Sequence, residues 1–338
     1  MTAKSCNVSF CAFLLLAVTP GLSEAQAPLG ARAAGMAGAF VGVADDASAV
    51  YWNPAGLATG PIVSFLASFS EELTAPDDVQ TAAGERHTGR VVALSLPPIG
   101  LAYYRIGAYG TTVATSAGNG PPSREEVRRS VQALTTSTVG VSLLQSLTDH
   151  IVVGATPKVV RGSAARGVFG ATSAEAALEV AADLDGQEDT AFDIDAAVMV
   201  AVERIRIGLV GRNLTTPTFA VAGDGGEIEL PREVRLGAAF GSQWPGNSLL
   251  TVSVDADLMS RVTPFGDRRD VAAGVETWWR DRRLSLRGGV RRSTTGEARG
   301  AVTGGASYAV RPSMFVEGHA AAGERSERGW SLGIRMGF

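Results

Sequence analysis

The side chains with the most evident chemistry are acids spaced two apart, Asp193 with Asp195 and Asp255 with Asp257. On an extended chain residues i and i+2 share a face. Each pair therefore aims two carboxylates into one space, where they either line a path for cations or pair with bases. Bases at the same phase are available in Lys158, Arg206, Arg287, Arg291 and Arg335, with Glu276 as a further acid. Catalysis has little support. His87, His150 and His319 stand far apart without HExxH or His-x-His spacing, and no GxSxG nucleophile elbow accompanies them; His150 and His319 read as exposed polar residues. Asp224-Gly225-Gly226-Glu227 offers two carboxylates over four positions, short of a calcium loop, and reads as an acidic turn. No Walker-type phosphate loop is present to hold a nucleotide. No catalytic residue, metal or cofactor is expected, and the chain does not read as an enzyme.

Both cysteines, Cys6 and Cys11, fall within residues 1–25. There Lys4, an apolar run at 11–18 and the small-x-small Ser23-Glu24-Ala25 read as a secretory signal cleaved after Ala25. The exported chain, from Gln26, then has no disulfide, thiolate nucleophile or Cys-ligated zinc. No apolar run reaches the roughly 18 residues that a membrane-spanning helix needs. The formal net charge of −4 and the scattered bases give no field for a phosphate backbone, so nucleic acid is not an expected partner.

What must position the charged groups is a set of strands, because from residue 62 onward the apolar pattern has period two. At 250–258, Leu250, Val252, Val254, Ala256 and Leu258 share one face, and Thr251, Ser253, Asp255 and Asp257 share the other. One face suits lipid and the other a watery interior. The expected strands, mostly about nine to eleven residues long, are 62–70, 90–96, 99–106, 137–146, 150–161, 191–202, 204–213, 234–241, 249–258, 270–279, 282–292, 300–309, 312–321 and 330–338, fourteen in number. Long connections at 71–89, 107–136, 162–190, 214–233, 259–269, 293–299 and 322–329 alternate with short ones at 97–98, 147–149, 203, 242–248, 280–281 and 310–311. A soluble sandwich has no reason to keep every second loop short, whereas a transmembrane barrel has short turns on one side and long loops on the other. Trp244, Trp278, Trp279, Trp330, Tyr103 and Tyr104 fall near strand ends, where an interfacial aromatic girdle belongs. Residues 171–183, rich in Ala, Glu and Leu, suit a short helix in a long loop.

Residues 26–60 fit no strand. Gly35, Gly38 and Gly42 would let this backbone lie close against a wall, and Ala44-Asp45-Asp46-Ala47 and Tyr51-Trp52-Asn53-Pro54-Ala55-Gly56-Leu57 follow. This succession resembles the N-terminal signature of the FadL-like outer-membrane proteins, transporters of long-chain fatty acids and other hydrophobic compounds, among which the PorV-like secretion proteins form a branch. The resemblance implies an all-β, antiparallel transmembrane barrel of about fourteen strands in the bacterial outer membrane, with the N-terminal segment folded into the lumen as a hatch. It implies three regions: a signal at 1–25, the hatch at 26–60 and the barrel at 61–338. It also implies passive uptake of hydrophobic solutes or, on the PorV-like alternative, the binding or shuttling of exported proteins. Expected partners are outer-membrane lipids, a hydrophobic small-molecule ligand and the outer-membrane barrel assembly machinery, the last through the C-terminal strand ending at Phe338. In a hatch, Asp45, Asp46 and Asn53 would be satisfied by Arg206, Arg287, Arg291, Arg335 and Lys158, because buried charges need partners. Pro54 would stiffen the exit into the first strand. A solvated periplasmic extension is the other reading of this segment.

Overall fold

The computed structural model describes residues 29–76, 83–114, 127–222, 226–242, 249–279, 282–296 and 299–338. The signal at 1–25, Trp244, and Asp224 with Gly225 lie outside the described residues. The strands are β1 (Ser64–Thr74), β2 (Gly84–Leu96), β3 (Ile99–Val113), β4 (Val127–Ser146), β5 (Ile151–Ala171), β6 (Gln187–Val202), β7 (Ile205–Arg212), β8 (Thr218–Ala220), β9 (Glu227–Glu229), β10 (Glu233–Gly241), β11 (Leu250–Asp257), β12 (Arg261–Thr263), β13 (Gly266–Arg268), β14 (Asp270–Trp279), β15 (Leu284–Ser293), β16 (Gly300–Arg311), β17 (Met314–Gly323) and β18 (Arg328–Gly337). Fourteen of them close a barrel in the order β1-β2-β3-β4-β5-β6-β7-β10-β11-β14-β15-β16-β17-β18, every neighbour antiparallel. The β8–β9 and β12–β13 hairpins stand in two of the long connections. The seam between β1 and β18 is sealed by Phe65 opposite Met336 and by the Phe338 amide donating to the Val63 carbonyl at 2.9 Å.

The period-two pattern sorts the side chains as hydrocarbon demands. On β11, Val252 and Val254 are exposed while Thr251 and Ser253 are buried in the interior. Closure leaves no sheet edge in the barrel, so each of its fourteen strands pairs on both sides where no water is available to satisfy it. No helix of the described residues is long and apolar enough to cross a membrane.

Three expectations require correction. Strands β4 and β5 run for 20 and 21 residues, well past 137–146 and 150–161. The outward faces of β3, β4 and β5 lose strict alternation beyond Arg105, Ser137 and Arg161 respectively, so the periodic signal ends before the backbone pairing does. Besides the short helices α1 (Ala31–Gly35) and α2 (Ala49–Trp52) that precede the strands, a third, α3 (Ala174–Ala182), covers the tall wall on its outside; its Ala177 and Ala181 pack on Val131 and Ala171, with Tyr109 and Phe169 alongside. Ser173 caps this helix by accepting from the Ala176 amide at 3.1 Å. The aromatic girdle is thinner than expected. In each of the pairs Tyr103-Tyr104 and Trp278-Trp279 neighbouring residues must face opposite ways; Tyr103, Trp279 and Trp330 face out, whereas Tyr104 and Trp278 are buried inside. Finally, His319 is not an exposed strand-end residue: it lies within β17, buried, with Nδ1 2.5 Å from Ser331 Oγ.

Val254 sits midway along an outward apolar row. Val254→Arg is expected to destabilise the barrel by about 2–4 kcal/mol, read by urea unfolding in lipid vesicles, while Val254→Ile stays within about 0.5 kcal/mol of the parent.

Candidate functional site

Leu29 to Gly60 packs against inward faces of the barrel through contacts of two kinds. Toward β1–β3 the contact is mainly apolar, with one hydrogen bond from the Ala47 amide to Ser64 Oγ at 3.0 Å. Leu29, Val50, Trp52 and Leu57 form one cluster with Leu66, Val91, Ala93, Tyr104 and Ile106. Edge-to-face rings continue it, with Phe40 to Trp52 at 6.1 Å, Tyr51 to Trp52 at 5.4 Å and Tyr51 to Tyr104 at 5.5 Å.

Toward the opposite wall the contact is ionic. Arg32, on the short helix α1 (Ala31–Gly35), donates through Nε and Nη2 to Glu276 at 3.0 and 2.7 Å, and through Nη1 to Asp45 at 2.5 Å and Asp46 at 3.2 Å. Its planar fork suits such a bridge between carboxylates. Arg287 joins Glu276 at 3.3 Å. Arg335 donates to Glu317 at 3.0 Å and stands 3.9 Å from Asp46; Arg206 stands 3.9 Å from Asp45. Burial alone would raise the Asp46 carboxyl, but Arg32, Arg335 and Ser48 outweigh it and hold its pKa below the ordinary value. Burial likewise opposes the charge on Arg32, and Asp45 and Glu276 more than offset that, so the guanidinium is held more firmly protonated.

A second joint lies on β10 and β11. Asp255 accepts the amides of Phe40 and Val41, each at 2.9 Å, and the Arg235 Nε at 3.3 Å. Asp257 accepts from Arg235 at 2.6 Å and from Arg261 at 2.9 Å. Arg235 also donates to the Gly38 carbonyl, Ser253 to that of Ala39 and Thr303 to that of Gly35. At Gly38 φ is +78°, a conformation that glycine adopts without strain. A third joint is Arg212, which lies 4.4 Å from the Tyr51 ring centroid and pairs with Glu233 at 2.5 Å.

The Asn-Pro-Ala-Gly turn holds the segment's own shape. Asn53 donates to the Val41 carbonyl at 2.9 Å and accepts from the Ala55 amide at 3.1 Å, capping a 3-10 turn (Pro54–Thr59) that Pro54 begins. Trp52 Nε1 donates to the Leu29 carbonyl at 2.8 Å. A Cβ on Gly56 would stand 2.0 Å from the Ala44 carbonyl oxygen, so no larger residue fits there without backbone movement.

The structure thus brings Asp45, Asp46, Glu276, Arg206, Arg287 and Arg335 together, but in another pairing than the sequence suggests. The principal partner of Asp45 and Asp46 is Arg32, from their own segment, and Asn53 bonds within that segment. Lys158 is taken by Asp193 at 3.1 Å and Asp195 at 2.7 Å. Arg291 pairs with Glu72 and Glu327, nearer the long loops. Arg32, Arg212 and Arg235 are the residues that sequence reasoning passed over. Arg32 had a signal, since it is the sole base in 26–60 and faces two acids there.

Two small cavities lie between the segment and the wall. One cavity of about 20 Å³ is lined by Gly38, Trp52, Glu72, Arg291 and His319, and another of the same size by Tyr51, Tyr104, Lys158, Arg212 and Glu233; each has room for about one water. An apolar groove of about 960 Å³ on the outer wall is lined in part by Val271, Ala273, Val290, Val302 and Ala322. The β14–β15 and β15–β16 ladders run unbroken behind it, so it is a dent and not a hole.

Comparison with known proteins places this architecture. Solved barrels with the same fold include the CymD monoaromatic hydrocarbon channel (15% identity, TM-score 0.63, covering 92% of this chain and 97% of that one). The Pseudomonas putida toluene transporter TodX is similar at 12% identity and a TM-score of 0.57, covering 95% and 100%. A Pseudomonas aeruginosa FadL homologue is similar at 12% identity and a TM-score of 0.58, covering 94% and 98%. At these identities the likeness is one of fold, and the fold is that of the FadL-type barrels. A family described as "F plasmid transfer operon, TraF, protein" matches residues 123–257, less than half of the chain. No curated protein sequence matches significantly.

Arg32→Met leaves buried acids without their base and is expected to cost about 3–5 kcal/mol, read as faster amide exchange across Leu29 to Gly60. Because the Asp46 pKa is depressed in the folded protein, its stabilising contribution is full above the ordinary carboxylate value of about 3.9 and is lost as pH falls through the folded value. Exchange across the segment, corrected for intrinsic rates, should therefore rise on acidification, and Asp46→Asn should flatten that rise.

Proposed function

We propose that the protein is a passive channel for small hydrophobic solutes in the bacterial outer membrane, with 26–60 as its hatch, 61–338 as its barrel and 1–25 removed on export. The observation that carries this reading is the two-sided seating of the segment, apolar against β1–β3 and ionic against β10, β11, β14 and β18. A hydrophobic solute gains by displacing one apolar contact with another and gains nothing by separating buried ion pairs. The path is therefore the seam between Trp52, Val50, Leu57 and the β1–β3 wall, opened by a hatch that stays held on its charged side. Most lumenal charges stand beside charges of opposite sign, which weakens the field that the interior offers to ions. Energy comes from partition and the concentration gradient alone. Long-chain fatty acids and monoaromatic hydrocarbons are the candidate solutes, the latter supported by what CymD and TodX are described as carrying. The partners of this reading are outer-membrane lipids around the wall, the hydrophobic ligand itself, and the barrel assembly machinery at the strand ending in Phe338.

The one-water cavities favour a second reading, in which the barrel stays shut and holds exported proteins at the membrane in the PorV-like manner. A crosslink separates the two. A Cβ on Gly100 would lie 2.7 Å from Val50 Cγ2, and the exported chain has no cysteine of its own, so Val50→Cys with Gly100→Cys pins the apolar side of the hatch. Oxidised protein in liposomes is expected to lose uptake of labelled toluene or oleate, and reduction to restore it. Liposomes that never exceed empty ones, together with stoichiometric copurification of exported proteins after crosslinking of cells, would turn the choice to the second reading. Deleting Leu29 to Gly60 is expected to enlarge single-channel conductance in planar bilayers several-fold; unchanged conductance would remove the hatch role.

A further inference from the structure

The outer wall of β2–β6 changes character within one step of register. Val92 stands opposite Tyr103, Tyr103 opposite Val139, Val139 opposite Val159 and Val159 opposite Phe192, an exposed apolar row across five strands. Two residues nearer the long loops the corresponding row reads Arg90, Arg105, Ser137, Arg161 and Thr190. Arg161 is paired with Glu188. Arg90 and Arg105 are exposed and face each other directly across β2 and β3. Among the described residues neither has a carboxylate partner, and the outward acid of β1, Glu71, is held by Arg86 at 2.8 Å. Arg90 lies 5.8 Å from the centroid of the Phe69 ring on the neighbouring strand.

Like charges directly opposite on a sheet repel, and guanidinium groups at the edge of an apolar wall are costly without a counter-charge. An anion seated between them removes both penalties. Two guanidiniums converging from adjacent strands match the several oxygens of a phosphate, which each can bind in bidentate fashion. The apolar row immediately beneath requires that the owner of the anion also bring hydrocarbon to the wall. We infer that Arg90 and Arg105 bind the phosphate of an anionic lipid headgroup in the leaflet on the long-loop side, with the acyl chains lying over Val92, Tyr103 and Val139. This site is on the outside of the barrel and is independent of any transport through the lumen.

The test is retention of lipid by the mature protein. The barrel is reconstituted in vesicles of equal phosphatidylcholine and phosphatidylglycerol, extracted in mild detergent, and its bound lipids are identified by native mass spectrometry. Phosphatidylglycerol is expected to be retained over phosphatidylcholine by roughly tenfold, the scale of one good charge-assisted contact. Arg90→Gln with Arg105→Gln should abolish that preference, and Arg90→Lys with Arg105→Lys should keep most of it. Arg161→Gln with Glu188→Gln, on the same row, should leave it unchanged. The single variant Arg105→Gln removes the like-charge contact, is expected to fold, and reads the same loss should the double variant not assemble. Equal retention of the two lipids by the parent protein, or an undiminished preference in the glutamine variants, overturns the inference. So does an acidic protein that copurifies with the parent and is lost with these same variants, since the pair would then belong to a protein interface.

Discussion

A chain surrounded by hydrocarbon must satisfy every backbone amide and carbonyl from within, and a sheet can do so only by closing on itself. Here closure takes fourteen strands and ends with the last pairing to the first. The remaining structure is constrained by that closed wall. With lipid on one side, alternate residues have no choice but to be apolar, and most of the charge that the strands carry at that height is driven inward. Lys158, Asp193, Asp195, Arg206, Asp255, Glu276, Arg287 and Arg335 are accordingly buried in the interior. There each must find a partner of opposite sign.

That demand shapes the leading segment. Paired buried charges contribute little net stability, because the cost of removing them from water nearly cancels their attraction. What they do contribute is placement, since a carboxylate such as Asp255 accepts from the amides of Phe40 and Val41 at one position of the segment and no other. The apolar face against β1–β3 has no such directional requirement. The segment is therefore located chiefly by its ionic side, a division of roles set by which strands carry acids and which carry Leu66, Val91 and Ile106.

The architecture was legible because alternation and loop length are local properties. Val252, Val254 and their neighbours report a face, and the short turn at 97–98 beside a long connection reports a direction. Pairing was less legible. Period two tells that Glu276 and Arg287 face inward, but only the register that sets them opposite each other joins them, and nothing local tells that Arg32 bonds Glu276 across 244 residues of sequence. The heights of β4 and β5 were hidden for a related reason: once a strand rises out of lipid, or is covered by a helix such as α3, its outward side chains lose the composition by which strands are recognised.

The seam between β1 and β18 has a bearing on biogenesis. The segment carrying Arg32, Asp45 and Asp46 precedes every strand of the described residues, yet its counter-charges arrive on β7, β14 and β18, as much as 289 residues later. Until β18 docks, Asp46 lacks the second of its bases, Arg335, and once β18 has docked the wall has no lateral gap between strands. The zippering of the first and last strands is thus the step that completes the ionic seat of the leading segment.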